Sequence, residues 1–303
     1  MSGKTITIVS VTGHQDYAQG SVYAIARSYF ELQKKLSNER LRCLLISPKK
    51  PNVCPDFIEW LECKPFSYLE YNYFIIYVLH QFIQTDFVLI VQNDGFVLNG
   101  KNWQDAFLDY DYIGAPLNTL FRYQDEHLIQ AGQEFWERHF NNIPPAHFEV
   151  QNGGFSLRSK RLLTLPSELQ LQWLVDSAKL SCNLPLELSP RTAMHNEDIY
   201  FCAVYRKLFE ELGIKFAPSA LAMAFAIEST LYHAKHQFEI DTIFGTHTMG
   251  HFVLNDLNNV YMQKAIEMVD DNILSNRLAQ VILLNGISIT TPNTLMGNHH
   301  EKN

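Results

Sequence analysis

Three short runs of aliphatic and β-branched residues limit what this chain can fold into. Thr5–Val11 (TITIVSV), Arg42–Ser47 (RCLLIS) and Phe87–Gln92 (FVLIVQ) have the length and composition of buried strands. Between the first two, Val22, Ile25, Tyr29, Leu32 and Leu36 recur at helical spacing and give one core-facing helix. A strand, a helix and a second strand in that order predict a mainly parallel α/β sheet flanked by helices. Ligands of open α/β sheets bind beyond the carboxyl ends of the strands. The polar loops Thr12–Asp16 and Asn93–Gly95, which follow the first and third runs, are therefore predicted to face one crevice.

The rest of the chain supports one domain, without an internal repeat or a low-complexity linker. Tyr68–Ile83 is apolar nearly all round and reads as a sandwiched helix, and Asp111–Pro116 as a short strand. Leu117–Pro145, polar and aromatic with weak periodicity, is expected to be a surface excursion or lid. Val150–Arg158 reads as a strand interrupted by a glycine pair, with a helical region from Ser159 to about Ser181. Ile199, Cys202, Tyr205, Phe209 and Leu212 mark an amphipathic helix. Ile214–Phe216 and Ala220–Ile227 are expected as short strands or a strand–turn unit, with helices near Val260–Val269 and Asn276–Leu284 and a polar tail over Thr291–Asn303.

Charge and cysteine usage exclude some functions. A formal net charge of −8 lacks the basic surface that displaces counterions from nucleic acid. Five cysteines (Cys43, Cys54, Cys63, Cys182, Cys202), odd in number and without Cys-x-x-Cys spacing, read as free thiols in a reducing cytoplasm and speak against zinc. Met1–Lys4 leads directly into the first strand, so no targeting segment is expected. The apolar stretch Tyr73–Leu79 is far too short to span a bilayer. Aromatic residues make up 13% of the chain, enough to serve a core and also a flat, stackable ligand.

Several residues could carry chemistry, and each has a plainer reading. Asp94 ends an apolar strand, where a carboxylate can hold a hard divalent cation beside a diphosphate; Asn-Asp-Gly is also a strong turn formula, favoured on those residues alone. Gly153 and Gly154 after Asn152 suggest close approach to the backbone by a sugar or phosphate, or a β-bulge. Arg158, Lys160 and Arg161 could meet phosphates or form a solvated face. Glu197-Asp198 could supply a general base, or only complement a helix N-terminus, which position alone favours. His247 and His251 are spaced like a helical metal pair, but Gly245 and Gly250 indicate a loop. His247 as a single ligand, paired with Asp94 across the crevice, is the better reading.

The order of these blocks is more specific than any one of them. VLIVQNDGFVLN, DYIGAPL, QNGGFSLRSKRLL, NEDIYFC, FAPSALAMAFAIES and FGTHTMGH, in sequence, resemble a bacterial family of glycosyltransferase-like proteins known as a domain of unknown function, itself similar to the GT-A superfamily. The likeness runs from about Thr5 to His251. It implies a GT-A-like, Rossmann-like domain over 1–290, with a nucleotide-binding half at about 1–116, an acceptor and catalytic half at about 146–255, and C-terminal helices at 256–290.

The likeness also implies roles. Gln92-Asn93-Asp94 sits where GT-A enzymes place an Asp-x-Asp motif, with Gln92 replacing the first Asp and Asp94 matching the metal-touching second. His247 resembles the late histidine that completes the metal site, for Mn²⁺ or Mg²⁺. Asp198 resembles the catalytic base, with Glu197 holding the acceptor or the loop. Asn152, Gly153 and Gly154 would line the donor sugar, Arg158 would assist the phosphates, and Val11, Thr12, Gly13 and His14 would sit near the nucleobase. The implied partners are a nucleotide-sugar donor, a UDP-sugar above all, and a glycan or lipid-linked acceptor. The implied setting is surface polysaccharide synthesis in the cytoplasm, peripheral to the inner face of the membrane. The likeness of Glu197-Asp198 to the pair of inverting GT-A enzymes implies an inverting transfer and leaves a retaining one open. The competing class is a non-catalytic nucleotide- or sugar-binding protein of the same fold, supported by the missing first Asp. A nucleotidyltransferase would want a glycine-rich, basic loop after the first strand, and SVTGHQD is neither.

Overall fold

The computed structural model describes residues 3–124, 127–175, 181–183, 187–189, 195–228, 240–266, 272–273 and 276–292. The chain opens with β1 (Ile6–Val11), α1 (Ala18–Leu32), β2 (Leu41–Ser47), β3 (Ile58–Glu62), α2 (Tyr68–Tyr77), β4 (Phe87–Ile90) and β5 (Gly95–Val97). It continues with β6 (Tyr112–Gln124), β7 (His127–Ala131), α3 (Gln133–His139), β8 (His147–Ser159), α4 (Lys160–Glu168), β9 (Ser181–Asn183) and β10 (Glu187–Ser189). After α5 (Glu197–Ile199), α6 (Arg206–Glu211) and α7 (Ser219–Phe225) come β11 (Ala226–Ile227), β12 (Gly245–His247), β13 (Phe252–Asp256), β14 (Asn259–Met262), α8 (Arg277–Leu284) and β15 (Ser288–Thr290).

The central sheet has seven strands in the order β3-β2-β1-β4-β8-β6-β7. β3, β2, β1 and β4 pair in parallel, and the pairs from β4 through β8 and β6 to β7 are antiparallel. Five strands, β6 included, thus run one way. The predicted α/β class with a mainly parallel sheet and flanking helices is what forms. Each parallel strand divides its apolar residues between two buried faces: Ile6 and Ile8 join the core beneath α1, while Val9 and Val11 join the core beneath α2. Leu45 and Ile46, and Leu89 and Ile90, divide in the same way. Covering both faces is what makes these strands apolar almost throughout. Ser67 and Glu70 close a reciprocal capping box that starts α2.

Several expectations need correction. Leu117–Pro145 is not a surface excursion: β6 runs on to Gln124, turns back as β7, and is followed by α3. Leu120, Phe121 and Trp136 are buried there among polar neighbours that hide the alternation. Ala220–Ile227 is mostly helix, α7, which begins after Pro218. The segment near Val260 is strand β14, paired with β13 and β15, so the expected C-terminal helices reduce among the described residues to α8 beside a small sheet. The expected helix through Ile83 gives way after Tyr77 to a single tight turn over Leu79–Phe82. That from Ser159 ends at Glu168; residues 176–180, 267–269 and most of the polar tail lie outside the described set. Strand β3, with one of its five residues buried, was not foreseen. Cys43, Cys54, Cys63 and Cys202 are free thiols; the Cys182 side chain is outside the described set.

One buried side chain ties α1 to the C-terminal unit. Arg27 donates to the carbonyls of Val97 (2.9 Å), Leu98 (2.7 Å) and Leu257 (3.0 Å) and to Asn258 Oδ1 (2.7 Å). Arg27→Met keeps the aliphatic stem but leaves these acceptors without a donor, at about 1–3 kcal/mol for each that water cannot reach. Urea unfolding should register a loss of about 3 kcal/mol or more; a variant within 1 kcal/mol of wild type (roughly the value of one net hydrogen bond) would show that the clamp is dispensable.

Candidate functional site

Strand order reverses between β1 and β4, because β2 and β3 continue to one side while β4 adds to the other. Such a switch point leaves a crevice at the carboxyl ends of the two strands, and here it holds a cleft of about 550 Å³. Val11, Thr12, Gly13 and His14 enter it from β1, and Gln92, Asn93 and Asp94 from β4. Phe66, Tyr68, Tyr71 and Tyr17 add aromatic surface, with Tyr17 and Tyr68 well exposed. A Cβ on Gly13 would fall 2.1 Å from the Phe66 carbonyl oxygen. Only glycine lets the loop after β1 press against the segment that leads into α2.

Pairing of two short strands brings the far end of the chain to the floor of the cleft. β5 runs antiparallel to β12 with Gly95 opposite His247. The Thr248 N–H donates to the Asp94 carbonyl (2.7 Å) and the Gly250 N–H to Asp94 Oδ2 (2.6 Å). Asp94 Oδ2 then lies 3.8 Å from His247 Nε2, and His247 Nδ1 lies 3.5 Å from Glu228 Oε1. Asn152 Nδ2 donates to that same Glu228 oxygen (3.0 Å). Burial alone would lower the imidazole, but Asp94, Glu228 and Asp198 outweigh it and raise His247 to about 9. Burial pushes the Glu228 carboxyl up, and His247 opposes that shift.

The glycine pair in β8 does admit close visitors to the backbone, but they belong to the protein itself. A Cβ on Gly153 would meet Glu197 Oε1 at 1.9 Å, and one on Gly154 would meet His247 Nε2 at 2.5 Å and Gln92 Oε1 at 2.7 Å. Arg158, expected at the phosphates, is fully buried and faces Glu197 Oε2 at 2.6 Å. It also donates to Ser156 Oγ (3.0 Å) and the Tyr112 hydroxyl (3.2 Å), and its guanidinium lies over the Tyr112 ring. Glu197 is fixed further by its N–H to Asn72 Oδ1 on α2 (2.8 Å). Neither residue of this pair lines the cleft.

Asp198 has a different environment. It is nearly buried, its Oδ1 accepts the Ile199 N–H (2.7 Å), and burial, then the charge of Glu197, raise it to about 7. Its field reaches Tyr68, whose phenol is pushed up by partial burial and then by Asp198 and Glu197. Asp198 does not line the cleft, although Tyr68, which does, lies within its field.

Of the predicted donor contacts, Val11–His14 and Gln92–Asp94 share the cleft with His247, whereas Asn152, Gly153, Gly154 and Arg158 lie behind it. Gln92 donates its amide to the Tyr71 hydroxyl (3.0 Å). Among the described residues no cluster of three or more His, Cys, Asp or Glu side chains could hold a metal by itself. Asp94 and His247 nevertheless suit two positions around a hard cation. A carboxylate on Nδ1 that turns Nε2 toward an ion is the usual outer support of a ligating histidine, and Glu228 stands in that place. Mg²⁺-type sites take one or two carboxylates and leave the rest to phosphates and water.

A family model described as Protein of unknown function (DUF5672) matches residues 67–247, more than half of the chain. The chain belongs to this family. No curated protein matches the sequence. The family segment contains Asp94, Asp198, Glu228 and His247, yet the cleft also uses Ser10–His14, Phe66, Met249, Gly250, Gln263 and Lys264 from outside it.

Two contributors escaped the sequence reading. Glu228 follows the apolar run AMAFAI as Asp94 follows VLIV, so the same strand-end signal marked it. Lys264 had no local signal; β13 and β14 bring it to the cleft.

His247 holds its proton more tightly folded than unfolded, where its midpoint is about 6.5. Its stabilisation is therefore complete below about 6.5 and is lost as pH rises through about 9. In chelator-treated protein, the stability difference between wild type and His247→Gln should shrink from pH 6 to pH 10 (the interval spanning both midpoints); a constant difference would contradict the charged assignment. Glu197→Gln should cost about 3–5 kcal/mol by stranding the buried guanidinium, read by denaturant titration. An unchanged midpoint would mean that Arg158 finds another partner.

Proposed function

We propose that this protein is a glycosyltransferase that moves a sugar from a nucleotide-diphosphate sugar, a UDP-sugar in the first instance, to an acceptor hydroxyl. The observation that carries the reading is the cleft at the switch point, with Asp94 and His247 facing each other on its floor and exposed aromatic rings on its wall. The resemblance to GT-A enzymes supplies the reaction class. Tyr17 and Tyr68 offer flat surface to a nucleobase. Lys264, among the described residues the one Lys or Arg lining the cleft, takes the phosphate role expected of Arg158. Asp94 and His247 would hold Mn²⁺ or Mg²⁺, which when bound neutralises charge on the leaving diphosphate.

Asp198 acts as the base. Near pH 7 its carboxyl is poised between ionised and protonated, the condition under which a general base works best. The acceptor oxygen bonds to the anomeric carbon, and the bond from that carbon to the diphosphate oxygen breaks with its electron pair. The acceptor proton passes to Asp198. This single displacement inverts the anomeric centre. Glu197 is a positioning residue: its pairing with Arg158 fixes the turn that presents Asp198.

A non-catalytic binding protein is favoured by one detail: Gln92, at the place of the first Asp, is engaged with Tyr71. The two readings separate by assay. Hydrolysis of UDP-sugars should be measurable in wild type and fall about a hundred-fold or more in Asp198→Asn, with UDP affinity nearly unchanged by calorimetry. Asp94→Asn and Lys264→Met should instead weaken UDP, the former only when Mn²⁺ is present. UDP binding without hydrolysis of any UDP-sugar would select the binding protein, and an active, merely less stable Asp198→Asn would remove Asp198 as base.

A further inference from the structure

The central sheet ends at β3, which pairs with β2 and with no other strand among the described residues. Each strand of a parallel ladder bonds to a given neighbour through alternate residues. The Cys63 N–H donates to the Ser47 carbonyl (3.2 Å), so Glu59, Leu61 and Cys63 turn their backbone groups toward β2. Ile58, Trp60 and Glu62 turn theirs outward. The Ile58 N–H is used within its own turn, by the Pro55 carbonyl (2.9 Å). What remains along the edge is the N–H groups of Trp60 and Glu62 and the carbonyls of all three, a template for another strand.

Apolar surface flanks this edge. Phe57, which leads into β3, is exposed, stacks on Tyr29 (ring centroids 4.5 Å) and meets exposed Phe30 edge-on (5.6 Å). Grouped exposed rings of this kind mark an interaction surface. Asp56 and Lys64 are exposed at the two ends of the edge, and neither has an ion pair within the chain among the described residues. An antiparallel copy of β3 laid along the edge brings each Asp56 to the level of the partner's Lys64 when the pairing is centred on Trp60. In that register Trp60 exchanges both backbone bonds with its copy, and the Glu62 N–H donates to the partner's Ile58 carbonyl. Glu59 comes opposite the partner's Leu61, so no two carboxylates face each other directly. Centring on Glu59 would set that carboxylate against its copy and Asp56 against the partner's Glu62, both repulsive. Centring on Leu61 would leave Lys64 opposite the partner's Ile58, without a counter-charge.

We propose that this protein forms a two-fold dimer in which β3 pairs with β3 of a second copy, centred on Trp60, so that the two seven-stranded sheets continue as one. The clefts, at the carboxyl ends of the parallel strands, then open at opposite ends of the joined sheet. A contact of five strand residues a side is small, and a dissociation constant of about 1–100 µM is expected.

Sedimentation velocity on the full chain, from about 1 to 300 µM, should show monomer converting to dimer. Glu62→Pro removes an outward N–H at an exposed edge position and leaves the bonds to β2 in place. It should stay monomeric throughout, with the far-UV circular dichroism of wild type. Lys64→Glu changes only an exposed side chain and should weaken association about ten-fold, since the symmetry reverses two charge pairs at once; adding Asp56→Lys should restore it. A wild-type monomer over the whole range, or a dimer that a folded Glu62→Pro leaves intact, would overturn the proposal. Should Glu62→Pro lose the wild-type spectrum, the charge swap decides: association that Lys64→Glu does not weaken, or that Asp56→Lys does not restore, would overturn the pairing.

Discussion

The contact between Arg158 and Glu197 is a pair of full charges brought out of water, and much of the site is arranged to make it tolerable. At 2.6 Å, with both side chains almost without solvent, each charge would be costly to bury without the other. Gly153 leaves the space that Glu197 fills, Tyr112 lies beneath the guanidinium, and Asn72 binds the Glu197 backbone. The pair thereby fastens β8, α2 and α5 to one another at the edge of the cleft. It also takes both residues out of direct chemistry. Arg158 stays charged, since Glu197 more than offsets the effect of burial.

The same pair sets the character of its neighbour. Glu197 has Arg158 as a counter-charge, while Asp198 has burial, the Glu197 charge and Glu228 all working against ionisation. Two adjacent carboxylates thus take opposite parts, one holding structure and one poised near neutrality. A second balance holds across the floor, where His247 stands between Asp94 and Glu228 and gains charge from both. Both clusters rest on β8, whose paired glycines admit a carboxylate at Gly153 and an imidazole at Gly154.

The legible part of the fold was the part with strong periodicity. β1, α1, β2 and β4 follow from apolar runs and helical spacing, and the shared crevice from the ends of two of those strands. β6 beyond Pro116, β7 and α3 were hidden because Asn118, Thr119, Gln124 and Gln130 interrupt the pattern, although Leu120, Phe121 and Trp136 are core residues. α7 was mistaken for strand because SALAMAFAI is apolar on every side, and a short buried segment carries no period to read. The glycine pair was read as a place of close approach by a sugar or phosphate, or as a β-bulge; that Glu197 and His247 are what approach could not be read, since they are 44 and 94 residues from Gly153 in the chain.

The sequence by itself determined the class of fold, the strand ends that would carry polar groups, and the residue types available for acid, base and cation. Those follow from local physics: β-branched runs suit buried strands, and the residues just after them are the first able to face a ligand. Only the tertiary structure decided which charges cancel. Arg158 and Glu197 became a structural pair, His247 was joined to Asp94 by the pairing of β5 with β12, and Lys264 was brought in from beyond the family segment. Charges act over a few ångströms and through burial, and both quantities exist only once distant segments have packed together.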